Sequence, residues 1–271
     1  MNDNSLPGWE KAITSHQDGG SSGPVHSPRP GRLRRAAGVL GEILMTLGVL
    51  VLLFLAWQLW WTDRESSTAQ DSEAKSLDEG FQRQAPSVRP PRGTPVPTAT
   101  KLVSAQTPVG TSFAVMYVPR FGSDFRRPVI QGTQAPELAV GIGHEPTSVM
   151  PGQIGNFATA GHRVTYGKPF NRIDTLRKGD FVVVETSDGW SIYRHQRSRI
   201  VAPTEVSVLA PVPDRPGVTP TQAWMTMVAC HPKFSAAQRY IGYLKLERFV
   251  PRTAPGTPPK VLRALRAPVD A

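Results

Sequence analysis

The feature that most constrains this chain is a long apolar run at residues 36–61, which follows directly after Arg32, Arg34 and Arg35. As a helix, the run is about 39 Å long at about 1.5 Å per residue, more than the roughly 30 Å of hydrocarbon in a bilayer. A buried core helix of a soluble protein is rarely apolar on every face, and the apolar part of a cleaved signal peptide is shorter. The run therefore predicts a single transmembrane helix.

The residues on either side of this run predict its orientation. Arginines gather at its N-terminal end, and Trp57, Trp60 and Trp61 form an aromatic belt at the other end. Basic residues favour the cytoplasmic side of a membrane, and tryptophans favour the interface. We therefore expect a cytoplasmic N-terminus, with everything after Trp61 outside the cell.

The composition divides the rest of the chain into segments. Residues 1–35 are rich in Gly, Ser and Pro and predict a disordered cytoplasmic segment, because they lack the apolar surface that would offset the entropy of ordering. Residues 62–106 are polar and end in proline-rich runs, which predicts a flexible extracytoplasmic stalk. The tail at 251–271 is rich in proline and basic residues, and we assign it no fold. The folded domain is left at residues 107–250.

That domain has the pattern of an all-β protein. Its apolar segments are short, rich in β-branched and aromatic residues, and often alternate with polar residues. Six of them lie at residues 112–118, 181–186, 190–194, 199–201, 223–230 and 240–249. Ser187-Asp188-Gly189 is typical of a hairpin turn, and only residues 170–176 indicate a short helix. The pattern predicts one β-barrel or sandwich.

The formal net charge of the chain is +10, and it is spread over the tail, stalk and domain. A basic chain can bind nucleic acid, but no recognition motif is present here. With a membrane anchor that points outward, anionic lipid headgroups and cell-wall polymers are the expected counterions, and nucleic acid is excluded as a partner.

Cys230 is the single thiol of the chain, and it ends the apolar segment 223–230. A lone cysteine is often only buried packing. Pro232 follows almost at once and cannot continue a hydrogen-bonded ladder, so the strand stops with its last side chains at a rim that substrate can reach. This position favours a nucleophile.

Two further residues are expected to converge on this thiol. His162 follows a short strand predicted at 158–161, and Arg239 opens the strand that comes after the Cys230 loop. Strands joined by a short turn are usually antiparallel neighbours, so Arg239 is expected near Cys230. The alternatives are a structural histidine and an ordinary surface arginine. Tyr166 either lines a peptide groove or packs.

A zinc site is a separate alternative for the histidines. It would combine His144 and His231 with His162 and Cys230, but the sequence lacks the close paired spacing of zinc ligands. We therefore predict no metal and no cofactor, and we expect His231 to shape the loop after the nucleophile.

The motif Thr226-x-x-x-Cys230, with Gly161-His162 before it and Arg239 after it, resembles the sortases, membrane-anchored cysteine transpeptidases of Gram-positive bacteria. The anchor and the sequence around Cys230 and His162 are similar to the class E group of actinobacteria. The resemblance implies a closed eight-stranded sortase-type barrel with Cys230, His162 and Arg239 as catalytic residues. Ala229 stands where the family usually has Thr, and Met227 stands where Leu is usual.

The resemblance also implies the reaction. Cys230 attacks the Thr-Gly bond of a Leu-Ala-x-Thr-Gly-like sorting signal on a secreted protein, and a primary amine of the cell wall then resolves the thioacyl-enzyme. His162 transfers protons, Arg239 binds the oxyanion or the substrate backbone, and neighbouring cations favour the thiolate. The acceptor amine stays open between peptidoglycan and pilin. The competing hypotheses are another Cys transpeptidase acting on peptidoglycan and a non-catalytic membrane-tethered binding module.

Overall fold

The computed structural model of the protein describes residues 31–84 and 107–252. Within these ranges the chain forms two α-helices and eight β-strands. The helices are α1 (Arg32–Gln84) and α2 (Ala135–Val140). The strands are β1 (Ser112–Tyr117), β2 (Arg126–Gln131), β3 (Ile142–His144), β4 (Gly155–Ala160), β5 (Phe181–Thr186), β6 (Gly189–Val201), β7 (Ala223–His231) and β8 (Gln238–Pro251).

The eight strands close into a barrel with the spatial order β1-β2-β3-β4-β7-β8-β6-β5. Two neighbouring pairs, β2 with β3 and β4 with β7, are parallel, and the other pairs are antiparallel. The interior is filled by apolar side chains from most of the strands, including Met116, Phe157, Met225 and Leu244. The predicted eight-stranded barrel is confirmed.

Each predicted strand segment lies in a strand of the structure, with shifted ends, whereas β2 and β3 were not predicted. The hairpin turn after β5 is confirmed, because Thr186 pairs with Gly189 across it. The segments predicted at 190–194 and 199–201 are one strand, β6, in which the register shifts near His195. The polar residues between them belong to the strand because β8 pairs with β6 along its whole length.

Helix α1 contains the apolar run expected to cross a membrane, with a mean hydropathy of 2.5 and a length sufficient for one span. The helix begins at Arg32, so the last part of the segment predicted to be disordered at 1–35 is helical. Residues 1–30 lie outside the described residues.

The prediction of a flexible stalk from residue 62 is wrong for its first part. Helix α1 continues to Gln84, and the apolar side chains Ala74, Leu77 and Phe81 recur every three or four residues along it. They pack against an outer face of the barrel formed by Val115, Tyr117, Val183, Trp190 and Ile192. Tertiary packing of this stripe stabilises the helix despite its serines and threonines. Residues 85–106 lie outside the described residues.

The boundary predicted at residue 250 is also too early. Strand β8 ends at Pro251, and Arg252 is buried and forms an ion pair with the buried Glu185. The backbone N–H of Arg252 donates to the carbonyl of Asp188 at 2.8 Å. The first residues assigned to the tail therefore belong to the barrel, whereas 253–271 lie outside the described residues.

Candidate active site

Cys230 lies at the end of β7 and is half-buried. Alternate residues of a strand face opposite sides of a sheet. Met227 and Ala229 belong to the barrel core, whereas Val228 packs in a separate cluster on the other face. Cys230 shares the face of Val228 and lies outside the barrel interior.

Arg239 lies directly opposite Cys230 in the antiparallel pair of β7 and β8. Directly opposed residues place their side chains on the same face, with Cβ atoms about 5 Å apart. The Nη1 group of Arg239 donates to the carbonyl oxygens of Ala236 at 2.9 Å and Gln238 at 3.0 Å. These bonds hold the guanidinium at the loop between the two strands.

His162 approaches the thiol from the opposite side, on the segment that follows β4. In the parallel pair of β4 and β7, Ala160 lies beside Val228, and the N–H of Gly161 donates to the Val228 carbonyl at 3.1 Å. His162 comes two residues after Ala160, and Cys230 comes two residues after Val228, so both residues lie just beyond this pair at the same end of the barrel. The three residues expected to form the site thus lie at neighbouring positions at one end of the barrel.

The His162 side chain is half-buried and contacts Tyr166, with ring centroids 5.1 Å apart. Burial lowers the pKa of His162 from its ordinary value. Gly161 before it lies so close to the Phe170 ring that a Cβ atom would stand 2.8 Å from the ring, so the local backbone requires glycine. Tyr166 is 44% exposed, and its ring covers His162.

The loop that carries His162 also contacts the second half of α1. The amide Nε2 of Gln70 donates to the Tyr166 carbonyl at 2.8 Å, and Lys168 forms an ion pair with Asp63 at 2.5 Å. The Gln70 side chain is buried in this contact. These contacts with α1 stabilise the backbone of the His162 loop.

Sequence reasoning missed Arg163, the residue after His162. Its side chain is only 2% exposed, and its Nη1 group donates to the Cys230 carbonyl at 3.2 Å and to Nδ1 of His231 at 2.8 Å. Its Nη2 group pairs with Asp174 at 2.8 Å. Nothing in the one-dimensional pattern separates a buried arginine from an exposed one, so only its place beside His162 could have drawn attention to it.

The other histidines singled out from the sequence make hydrogen bonds to protein groups. His144 is completely buried, with Gln131 at 2.7 Å from Nδ1 and Ser148 at 2.9 Å from Nε2. Burial lowers its pKa to about 4. His231 contacts Arg163 and the ring of Tyr240. Within the described residues, His, Cys, Asp and Glu side chains form no group of three that could hold a metal ion.

Ala229 is the position where the sequence departs from the sortase motif. It is 2% exposed and contributes to the barrel core. Its methyl group points away from the face that carries the Cys230 thiol, so the missing hydroxyl changes the packing of the barrel interior.

Comparison with known proteins gives one consistent family. A family model described as a sortase domain matches residues 116–247. Sortase SrtE2 of Streptomyces coelicolor is 30% identical over 261 residues, 92% of this chain and 98% of that protein. Sortase SrtE1 of the same organism is 32% identical over 233 residues, 83% of this chain, and the match spans 61% of its own length. The solved structure of sortase E from Streptomyces avermitilis superimposes with a TM-score of 0.52 and 38% identity, covering 58% of this chain and 99% of that chain.

Proposed function

The chain belongs to the sortase family and to its class E group, and from that premise we propose that it is a membrane-anchored cysteine transpeptidase. It cleaves a Leu-Ala-x-Thr-Gly-like sorting signal between Thr and Gly and transfers the secreted protein to a primary amine of the cell wall. The observation that carries the proposal is the direct pairing of Cys230 with Arg239 near the end of β7, with His162 just beyond the end of the adjacent strand β4.

The first half of the reaction forms the thioacyl-enzyme. The Cys230 thiolate attacks the threonine carbonyl carbon, the C–S bond forms, and the carbonyl π electrons move to the oxygen. Arg239 donates hydrogen bonds to this oxyanion. When the intermediate collapses, the C–N bond to glycine breaks and the leaving nitrogen takes a proton from His162.

The second half reverses these steps with a different amine. The incoming amine attacks the thioester and gives a proton to His162, and the C–S bond breaks to release the Cys230 thiolate. One amide bond is exchanged for another, so the cycle requires no oxidant and no external energy source. Because burial lowers the pKa of His162, its protonated form is a stronger acid than an exposed imidazolium, although fewer molecules carry it at pH 7.

The arginine donors suit the role given to Arg239. An arginine has five N–H groups, and the bonds to the Ala236 and Gln238 carbonyls are made by Nη1 alone. A planar guanidinium presents its donors in a fixed fork and needs no proton transfer to act. These properties support Arg239 as the hydrogen-bond donor to the oxyanion.

The location follows from helix α1. Its apolar stretch is a candidate membrane span, and Arg32, Arg34 and Arg35 at its N-terminal end favour the cytoplasmic side. We therefore propose a cytoplasmic N-terminus and a barrel outside the cell, where secreted substrates and wall amines are found. The partners are proteins that carry sorting signals, together with a peptidoglycan or pilin amine.

Intact mass spectrometry tests the proposal. The full-length chain in detergent micelles is incubated with a Leu-Ala-x-Thr-Gly peptide without added amine, and the protein mass is measured after acid quenching. We expect an adduct of the peptide up to threonine on the wild type and none on Cys230→Ala. A wild type that forms no adduct with any sorting peptide would favour the binding module.

A further inference from the structure

The side chain of Arg163 connects the two segments that carry the proposed nucleophile and proton donor. It is adjacent to His162 along the chain, and its guanidinium binds the carbonyl of Cys230 and Nδ1 of His231. An arginine can only donate hydrogen bonds, so Nδ1 of His231 is the acceptor in this contact. The contacts therefore have a defined direction.

We propose that Arg163 is the positioning residue that fixes His162 relative to Cys230, an inference that rests on the proposed function of the two. Among the described residues, backbone pairing between the β4 and β7 segments ends with Gly161 and Val228, one residue before His162. Beyond that point the two segments are joined by the hydrogen bond from the Arg163 side chain to the Cys230 carbonyl.

Arg163 is itself held from several sides. Its Nη2 group pairs with Asp174 at 2.8 Å, its guanidinium lies 5.7 Å from the centre of the Tyr240 ring, and its carbonyl accepts from Asn171 at 2.7 Å. A buried charge is expensive unless it is paired and hydrogen-bonded, and here both terminal nitrogens of the guanidinium have partners, whereas the buried Nε has none. The side chain therefore has little freedom to move.

Positioning His162 relative to Cys230 requires the two branches of the Arg163 guanidinium. Two acceptors, the Cys230 carbonyl and His231, lie on one branch, and the Asp174 carboxylate lies on the other. The compact ammonium of lysine lacks the planar fork and does not reproduce this geometry. If Arg163 acted only through its positive charge, lysine would replace it.

The experiment compares Arg163→Met and Arg163→Lys with wild type in the full-length chain in detergent. The matched control is Arg172→Met, which removes an arginine on the same loop whose Nη1 group donates instead to the Phe121 carbonyl at 2.7 Å. The readouts are kcat and KM for ligation of a sorting peptide to an amine, the thermal unfolding temperature, and the rate at which iodoacetamide alkylates Cys230.

We expect kcat to fall about 100-fold in both Arg163 variants, since small misplacements of reacting groups cost rates of that order, while KM stays unchanged. Iodoacetamide needs no proton from His162, so its rate should fall far less than kcat. Arg172→Met should keep the wild-type kcat.

Wild-type kcat in Arg163→Lys, or a loss in Arg163→Met no greater than in Arg172→Met, would overturn the inference. If Arg163→Met does not fold, Asp174→Asn serves in its place, because it weakens one anchor of the guanidinium and should lower kcat by a smaller factor. An unchanged kcat in that variant would count against the inference as well. A wild type without any ligation would instead contradict the proposed function, and the positioning role with it.

Discussion

Cys230 and Arg239 occupy directly opposed positions on β7 and β8, so the thiol and the guanidinium extend from the same face of one antiparallel strand pair. The pairing of the two strands fixes the two positions, and the carbonyls of Ala236 and Gln238 hold the guanidinium. Sites built on strands keep their geometry better than sites built on loops. The pairing makes the role of Arg239 directly testable.

Replacing Arg239 by methionine should lower kcat for transpeptidation by about 100- to 1,000-fold, the usual cost of removing an oxyanion donor. Arg239→Lys keeps the charge but loses the planar fork of the guanidinium, and we expect its kcat to lie between that of wild type and that of Arg239→Met. Steady-state kinetics with a sorting peptide and an amine measure the effect. The control is Arg248→Met, an exposed arginine of the same strand, and equal losses in the two methionine variants would contradict a specific role.

The second half of α1 should contribute to the stability of the barrel. Phe81 is 8% exposed and packs in the cluster that includes Val115 and Trp190. Phe81→Ala should reduce the free energy of unfolding by about 3 to 5 kcal/mol, the usual cost of truncating a buried phenylalanine. Thermal unfolding measures the change. Phe234→Ala is the matched control, because that ring is 89% exposed and its loss should leave the unfolding temperature unchanged.

The same packing predicts the effect of shortening the chain. A protein that begins at Ala105 lacks every contact of α1 with the barrel and with the His162 loop, including the bond from Gln70 to Tyr166. It should unfold at a lower temperature than one that begins at Asp63, and its kcat should be lower. Equal unfolding temperatures for the two would show that the helix contributes nothing to the fold.

His144 should make the barrel sensitive to acid. Burial lowers its pKa to about 4, below the ordinary value of about 6.5 for an unfolded chain, so the unfolded state binds the proton more tightly. The stability it provides is present above pH 6.5 and is lost as the pH falls toward 4, a change of roughly 3 kcal/mol. Unfolding temperatures between pH 7 and 4 should fall more steeply for wild type than for His144→Gln. Parallel curves would contradict this account.

Local sequence pattern predicted a β-barrel or sandwich and placed Arg239 near Cys230, whereas the closed eight-stranded form came from the resemblance to a family. Local pattern predicts local features well. Two such features are the strand β7, which ends at His231 just before Pro232, and its short connection to the strand of Arg239. The parallel pairing of β4 with β7, which brings His162 beside the thiol, joins distant parts of the chain. Local pattern does not contain this pairing, so the role of His162 was predicted mainly from the resemblance to a family.

The failures have physical causes. Strand β2 contains two arginines and a proline, and β3 has only three residues, so neither has the alternation of a typical strand. The second half of α1 has the composition of a coil, because its serines and threonines obscure the stripe of Ala74, Leu77 and Phe81. Packing of this stripe on the barrel stabilises the helix. Arg163 was missed because burial depends on the fold around a residue.

The most direct test of the account is ligation by the full-length chain in detergent micelles. The enzyme is incubated with a Leu-Ala-x-Thr-Gly peptide and either triglycine or diaminopimelate, with Cys230→Ala in parallel, and mass spectrometry follows the products. We expect a product in which threonine is joined to the added amine, formed by wild type and absent with Cys230→Ala. Equal product with the variant, or no product from a folded wild type with any sorting peptide and amine, would contradict it.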